Sequence, residues 1–164
     1  MEKRHEPLSH YFCRRNLAAA LLVSSSFAIA APGATKDEAV AMVKKAVAFI
    51  ETEGPAAGYS AISDPQGRFV DRDLYIVVYG LDGMVLAHGA NAKRIGTNQI
   101  DDRDPDGKEF VKERVELAAK QPSFGQSYKF MNPVTQEIGL KEMYCERLDQ
   151  TVVCGGVYKD SCCR

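Results

Sequence analysis

Apolar residues recur with a helical period over residues 35–53, at Ala39, Val40, Met42, Val43, Ala46, Val47, Phe49 and Ile50, while Lys44, Lys45 and Glu51 take the opposite side. The spacing predicts a long amphipathic helix. Thr35 followed by Glu38 is a capping-box signature at its start, and Gly54-Pro55 stops it. Residues 55–63 read as a second, short helix closed by the turn-forming Asp64-Pro65-Gln66-Gly67. The period then switches to two. Residues 74–79 form a β-branched and aromatic run, and residues 84–88 are its expected hairpin partner across Gly80-Leu81-Asp82-Gly83. A polar, acidic stretch covers residues 96–107, after which helical spacing returns over 108–120 through Phe110, Val111, Val115, Leu117 and Ala118. Three further strand-like segments follow at 125–131, 138–147 and 151–158, joined by Asn132-Pro133 and Leu148-Asp149-Gln150. Helix, hairpin, crossing helix and three-stranded meander imply one antiparallel sheet backed by the first helix, an α+β, PAS-like layout.

The first thirty residues do not belong to that pattern. Lys3, Arg4, Arg14 and Arg15 precede an uncharged run over 16–31 that ends in Ala28-Ile29-Ala30, the layout of a secretory signal peptide. Residues 1–30 are therefore expected to be cleaved, leaving 31–164 as a single periplasmic or secreted domain. The apolar run is shorter than the roughly 20 residues of a membrane span, so a retained N-terminal anchor is the lesser alternative. A chain of 164 residues with 45% hydrophobic and 26% charged residues suits one ordinary globular core. Removing the leader takes the formal charge from −1 to about −3 and leaves no basic cluster, which argues against a nucleic-acid partner. In an oxidising compartment Cys145, Cys154, Cys162 and Cys163 read as disulfide formers rather than zinc ligands. Cys145 and Cys154 flank a short turn and are placed to face each other across a hairpin, whereas the pairing of Cys162 and Cys163 stays open.

Strand parity supplies the candidate site. Tyr75 and Tyr79 share one face while Leu74, Ile76 and Val78 take the other; His88 is expected beside Met84 and Leu86, and Tyr128 beside Phe130. Lys141 and Tyr144 have opposite parity, and they reach one pocket only across a bulge or twist. A rival reading comes from Asp102-x-Asp104-x-Asp106-Gly107 with Glu113, which has the spacing of a calcium loop. Glu109 falls where such loops carry an apolar residue and Pro105 removes an amide, so the aspartates are expected to cap and charge-stabilise the helix starting near Lys108. The chain has no Gly-x-Ser-x-Gly elbow, His-Glu-x-x-His helix, phosphate-binding glycine loop or Cys-x-x-Cys-His haem site. His88 is the one histidine outside the leader. The expectation is binding without catalysis or cofactor.

Several local patterns, in order, resemble a known family. Gly67-Arg68-Phe69-Val70 leads into Tyr75 to Tyr79, then Leu81-Asp82-Gly83 with Ala87-His88, then Ile95-Gly96-Thr97-Asn98. Asp104-Pro105-Asp106-Gly107-Lys108 follows before a helix, then Lys141 with Tyr144, and finally Gly156-Val157-Tyr158. Over most of residues 35–160 the chain resembles single Cache domains of type 2, extracytoplasmic sensor modules of chemoreceptors and histidine kinases. It departs from them where a tryptophan often opens the last strand: Thr151 or Val152 stands there. The resemblance implies a pocket for a small carboxylate, with Lys141 compensating its charge and Tyr75, Tyr79, His88, Tyr128 and Tyr144 lining it. It also implies a membrane-bound sensor kinase or chemoreceptor as the partner that reads the ligand state. A structural or interaction protein whose pocket is filled by its own side chains is the alternative from another class.

Overall fold

A computed structural model describes residues 33–159. The expected signal peptide and the Cys162-Cys163 pair lie outside these residues. Helix α1 (Lys36–Glu53) begins with the expected reciprocal cap: the Thr35 hydroxyl accepts from the Glu38 amide and the Glu38 carboxylate accepts from the Thr35 amide. Gly54, with φ 84°, ends α1, and Pro55 opens α2 (Pro55–Ile62) at the position where its missing amide costs nothing. The remaining elements are β1 (Val70–Asp71), β2 (Leu74–Gly80), β3 (Val85–His88), α3 (Phe110–Lys120), β4 (Ser123–Met131), β5 (Ile138–Leu148) and β6 (Thr151–Tyr158). A 3₁₀ turn, Ala92–Arg94, interrupts the loop between β3 and α3.

All strand pairs are antiparallel, in the order β1-β2-β6-β5-β4, with β3 also paired to β2. The sheet is buried on both faces. Ile76, Val78 and Val153 pack with Val43, Ala46 and Ile50 of α1 and Ile62 of α2 on one side. Val77, Tyr79, Phe124, Met143 and the Cys145–Cys154 disulfide pack with Phe110, Val111 and Ala118 on the other. The α1 face is closed by a regular helix, whereas the α3 face is covered by one short helix and long loops. The second face therefore has room for the candidate site.

Two expectations of local geometry need correction. Pairing of β2 with β3 slips between Val78 and Tyr79, so that Val77 faces His88 but Tyr79 faces Val85. This bulge puts Val85 and His88 on the α3 face and leaves Leu86 against the α1 cluster, so His88 does not share a face with Leu86. Asp104 does not cap α3, whose N-cap is Glu109 without a side-chain bond. Instead Asp104 accepts from the amides of Asp106 and Lys108 at one oxygen and of Lys129 at the other, tying the loop to β4.

Candidate ligand-binding site

The register places candidate residues in rows across the α3 face. Tyr158 of β6, Lys141 of β5 and Tyr128 of β4 are direct cross-strand partners, and Tyr75 heads the neighbouring row through Gly156, Met143 and Gln126. Above them lies a cavity of about 470 Å³ bounded by Tyr75, His88, Asn91, Arg94, Phe130 and Met131. This size is ordinary for a small-molecule site.

Lys141 stands beneath the cavity wall, 1% exposed, with Nζ 3.7 Å from the centre of the Tyr75 ring, 4.8 Å from that of Tyr158 and 6.0 Å from that of Phe130. Ring faces attract an ammonium but do not neutralise it. Among the described residues no carboxylate comes within 4.0 Å of it. Burial, reinforced by the Arg114 cation and only partly opposed by Asp73, holds its pKa well below the usual lysine value.

His88, 4% exposed, stacks on Tyr75 with ring centres 5.0 Å apart. Its Nδ1 accepts from the amides of Ala90 and Asn91, so the proton of the neutral ring is on Nε2. Burial first, then the charges of Lys141 and Arg94, pull its pKa down to about 3. His88 is thus a fixed neutral donor at the cavity.

Arginines that strand periodicity does not single out complete the picture. Arg94 borders the cavity; its Nη2 donates to Gln99 and Asp102, while its Nε is enclosed without a partner. Arg114 is fully buried on α3, its Nε donating to Gln126 and its Nη1 and Nη2 without partners. Its guanidinium lies over the rings of Tyr79 at 4.9 Å, Tyr128 at 5.3 Å and Phe110 at 5.7 Å. A sequence signal for Arg114 exists: it sits four residues after Phe110 and four before Ala118, on the stripe that should be apolar. Arg94 lies in an aperiodic loop and carried none.

Of the six residues expected to line a pocket, Tyr75, Tyr79, His88, Tyr128 and Lys141 come together on the α3 face, and of these Tyr75 and His88 border the cavity itself, while Tyr79, Tyr128 and Lys141 are buried beside it. Tyr144 does not. Pairing of β4 with β5 is continuous through this region, so Tyr144 keeps its opposite parity and turns to the α1 side, where its hydroxyl donates to Glu146. There it borders a separate groove of about 330 Å³ with Lys36, Val40, Ser127 and Glu142. The carboxylates of the calcium spacing are also dispersed: Asp102 pairs with Arg94, Asp106 with Lys129 and Glu113 with Lys108, and among the described residues no cluster of three metal-ligating side chains forms.

What gathers on this face is a set of buried basic side chains and aromatic rings beside a cavity on an antiparallel sheet. The family model described as "Single Cache domain 2" matches residues 16–161. The chain belongs to the single Cache domain 2 family. It is 35% identical over 91 residues to the sensor histidine kinase MctS of Rhizobium johnstonii, a match covering 54% of this chain and 20% of the kinase. The chain thus spans about a fifth of that relative's length. Among solved structures, a methyl-accepting chemotaxis protein of Vibrio parahaemolyticus superposes with a TM-score of 0.67 at 21% identity, covering 76% of this chain and 88% of that one. A Cache chemosensory domain described in terms of carboxylic acid recognition gives 0.64 at 21% identity, with coverage of 76% and 92%. A periplasmic sensor domain of a chemotaxis protein gives 0.61 at 23%, with coverage of 76% and 90%. These likenesses bear out the α+β Cache fold. Among the described residues no helix of the Cache domain is long and apolar enough to cross a membrane.

Proposed function

We propose that this Cache domain is a periplasmic module that binds a small organic acid without transforming it and passes its ligand state to a membrane-bound sensor kinase or chemoreceptor. One observation carries the reading: the buried ammonium of Lys141 lies under a cavity with no carboxylate within salt-bridge reach among the described residues. A buried charge left unpaired costs several kcal/mol, and an anionic ligand removes that cost on binding. His88 Nε2–H and Arg94 Nε supply further donors at the cavity. The structure of a relative described as recognising carboxylic acids supports the same ligand class.

The test is thermal unfolding of the protein against short carboxylates, the matching neutral amides, and calcium. Carboxylates at 100 times their dissociation constant should stabilise by about 2.7 kcal/mol, while amides and calcium leave the midpoint unchanged. A flat response to every acid would refute the reading and favour a cavity that serves only protein contacts.

A further inference from the structure

The α3 side of the domain holds two buried basic side chains in two separate aromatic cages, neither with a carboxylate in salt-bridge reach among the described residues. Lys141 Nζ is enclosed by Tyr75, Phe130 and Tyr158, and Arg114 by Tyr79, Phe110 and Tyr128. The cages share no ring but abut, since Tyr128 is the cross-strand partner of Lys141 and its ring contacts Phe130 with centres 5.8 Å apart. Arg114 is positioned from one end only. Gln126 accepts from its Nε and is itself fixed by donating to the Phe110 carbonyl and to Glu113, leaving both terminal nitrogens enclosed, faced by the Tyr79 and Tyr128 hydroxyls and without a carboxylate or a well-formed hydrogen bond among the described residues. Glu113, the nearest acid on its own helix, is turned to Lys108 and Gln126. Buried donors in native proteins are almost always satisfied, and a guanidinium presents its terminal nitrogens as a fork that fits a carboxylate.

We propose that Arg114 is the second anion-binding residue of this site, so that the acid it takes carries two anionic groups, one at Lys141 and one at Arg114. The inference rests on the organic-acid reading above and narrows it to dicarboxylates. A single carboxylate pairs with one of the two basic groups and leaves the other without an anionic partner. A diacid whose carbon chain passes between the cages compensates both, and its apolar middle meets ring faces.

The experiment measures binding of malonate, succinate and glutarate against propionate, butyrate and valerate by calorimetry, using protein produced from the full 164-residue sequence. At least one diacid should bind tenfold or more tightly than the monoacid of equal length. Arg114→Met should bring diacid affinity down to that of the monoacid of equal length, and Arg114→Lys, which keeps one charge, should retain part of the preference. Diacids binding no better than monoacids of equal length would overturn the proposal with the wild-type protein alone, whether or not the variants fold. An Arg114→Met protein that keeps the full preference would overturn it too, reducing Arg114 to a packing role. Absence of binding by every acid in both series would instead overturn the organic-acid reading itself.

Discussion

At the scale of single residues, the role proposed for Lys141 sets stability against binding. Its ammonium is desolvated and its electrostatic surroundings are net unfavourable, so the ligand-free fold bears a strain that an apolar side chain would not impose. Lys141→Met, of similar length and volume, is expected to raise the stability of the ligand-free protein by about 1–3 kcal/mol while abolishing its response to carboxylates. Urea unfolding with and without ligand checks both halves; a variant that loses stability and keeps the ligand response would contradict the role given to this lysine. Strand parity was enough to put Tyr75 with Tyr79 and Tyr128 with Phe130, because a period of two survives wherever pairing is regular, but that these and Lys141 share one face of the sheet follows only from the register between strands. The same parity excluded Tyr144 once no bulge separated it from Lys141. Arg114 escaped because a charged residue on a helix is ordinarily assigned to the solvated side, and only its position on the Phe110–Ala118 stripe argues otherwise.

At the scale of elements, strand β6 mediates between the two faces. Gly155 and Gly156 follow one another, and a side chain on either would collide on opposite sides of the sheet. A Cβ at Gly155 would lie 2.9 Å from Ile76 Cδ1 and 3.0 Å from Val43 Cγ2, where α1 seats on the sheet. At Gly156 it would lie 2.3 Å from Met143 Sδ, 2.9 Å from the Glu142 carbonyl and 3.0 Å from Lys141 Cε. Gly156→Ala should therefore cost about 1–3 kcal/mol by overpacking and weaken carboxylate binding by displacing Lys141, whereas a purely structural glycine would give the first effect alone. The next pair along the ladder is Cys145 and Cys154, directly opposite each other and disulfide-bonded. Closing so short a loop stabilises by about 2–3 kcal/mol in the chain-entropy view, so the Cys145→Ser/Cys154→Ser double variant should lower the urea midpoint accordingly, with the native fold retained by circular dichroism. Element boundaries and this disulfide were legible because capping, turn and alternation signals agree locally. The slip in β3 was not: a bulge depends on what the partner strand offers, which no window of one strand contains.

For the whole molecule, the organic-acid proposal predicts that ligand binding is coupled to protons. On the acid side, His88 is held neutral with a pKa near 3 against an ordinary 6.5, so the unfolded chain takes up a proton before the folded one does. Stability should fall as the pH drops from about 6.5 toward 3, and His88 itself should add no inflection to ligand affinity near neutrality. On the alkaline side the sign is set by Lys141, faced by Tyr75, Tyr158, Phe130 and, at longer range, Arg114 and Asp73. Its folded pKa is depressed, so the ligand-free fold favours the neutral amine and gains stability as pH rises through the interval up to 10.5, where the unfolded chain holds more protons. A bound carboxylate reverses that preference because it interacts favourably only with the ammonium. Binding must then draw a proton from solvent wherever the ligand-free lysine is neutral, and affinity must decline as pH increases. Calorimetric titration in two buffers of different ionisation enthalpy should give a positive proton uptake per ligand in the interval below pH 10.5 over which the ligand-free lysine is neutral, absent in Lys141→Met. Zero uptake throughout that interval would mean the ammonium is charged before the ligand arrives, and the proposed coupling of ligand binding to proton uptake would be lost.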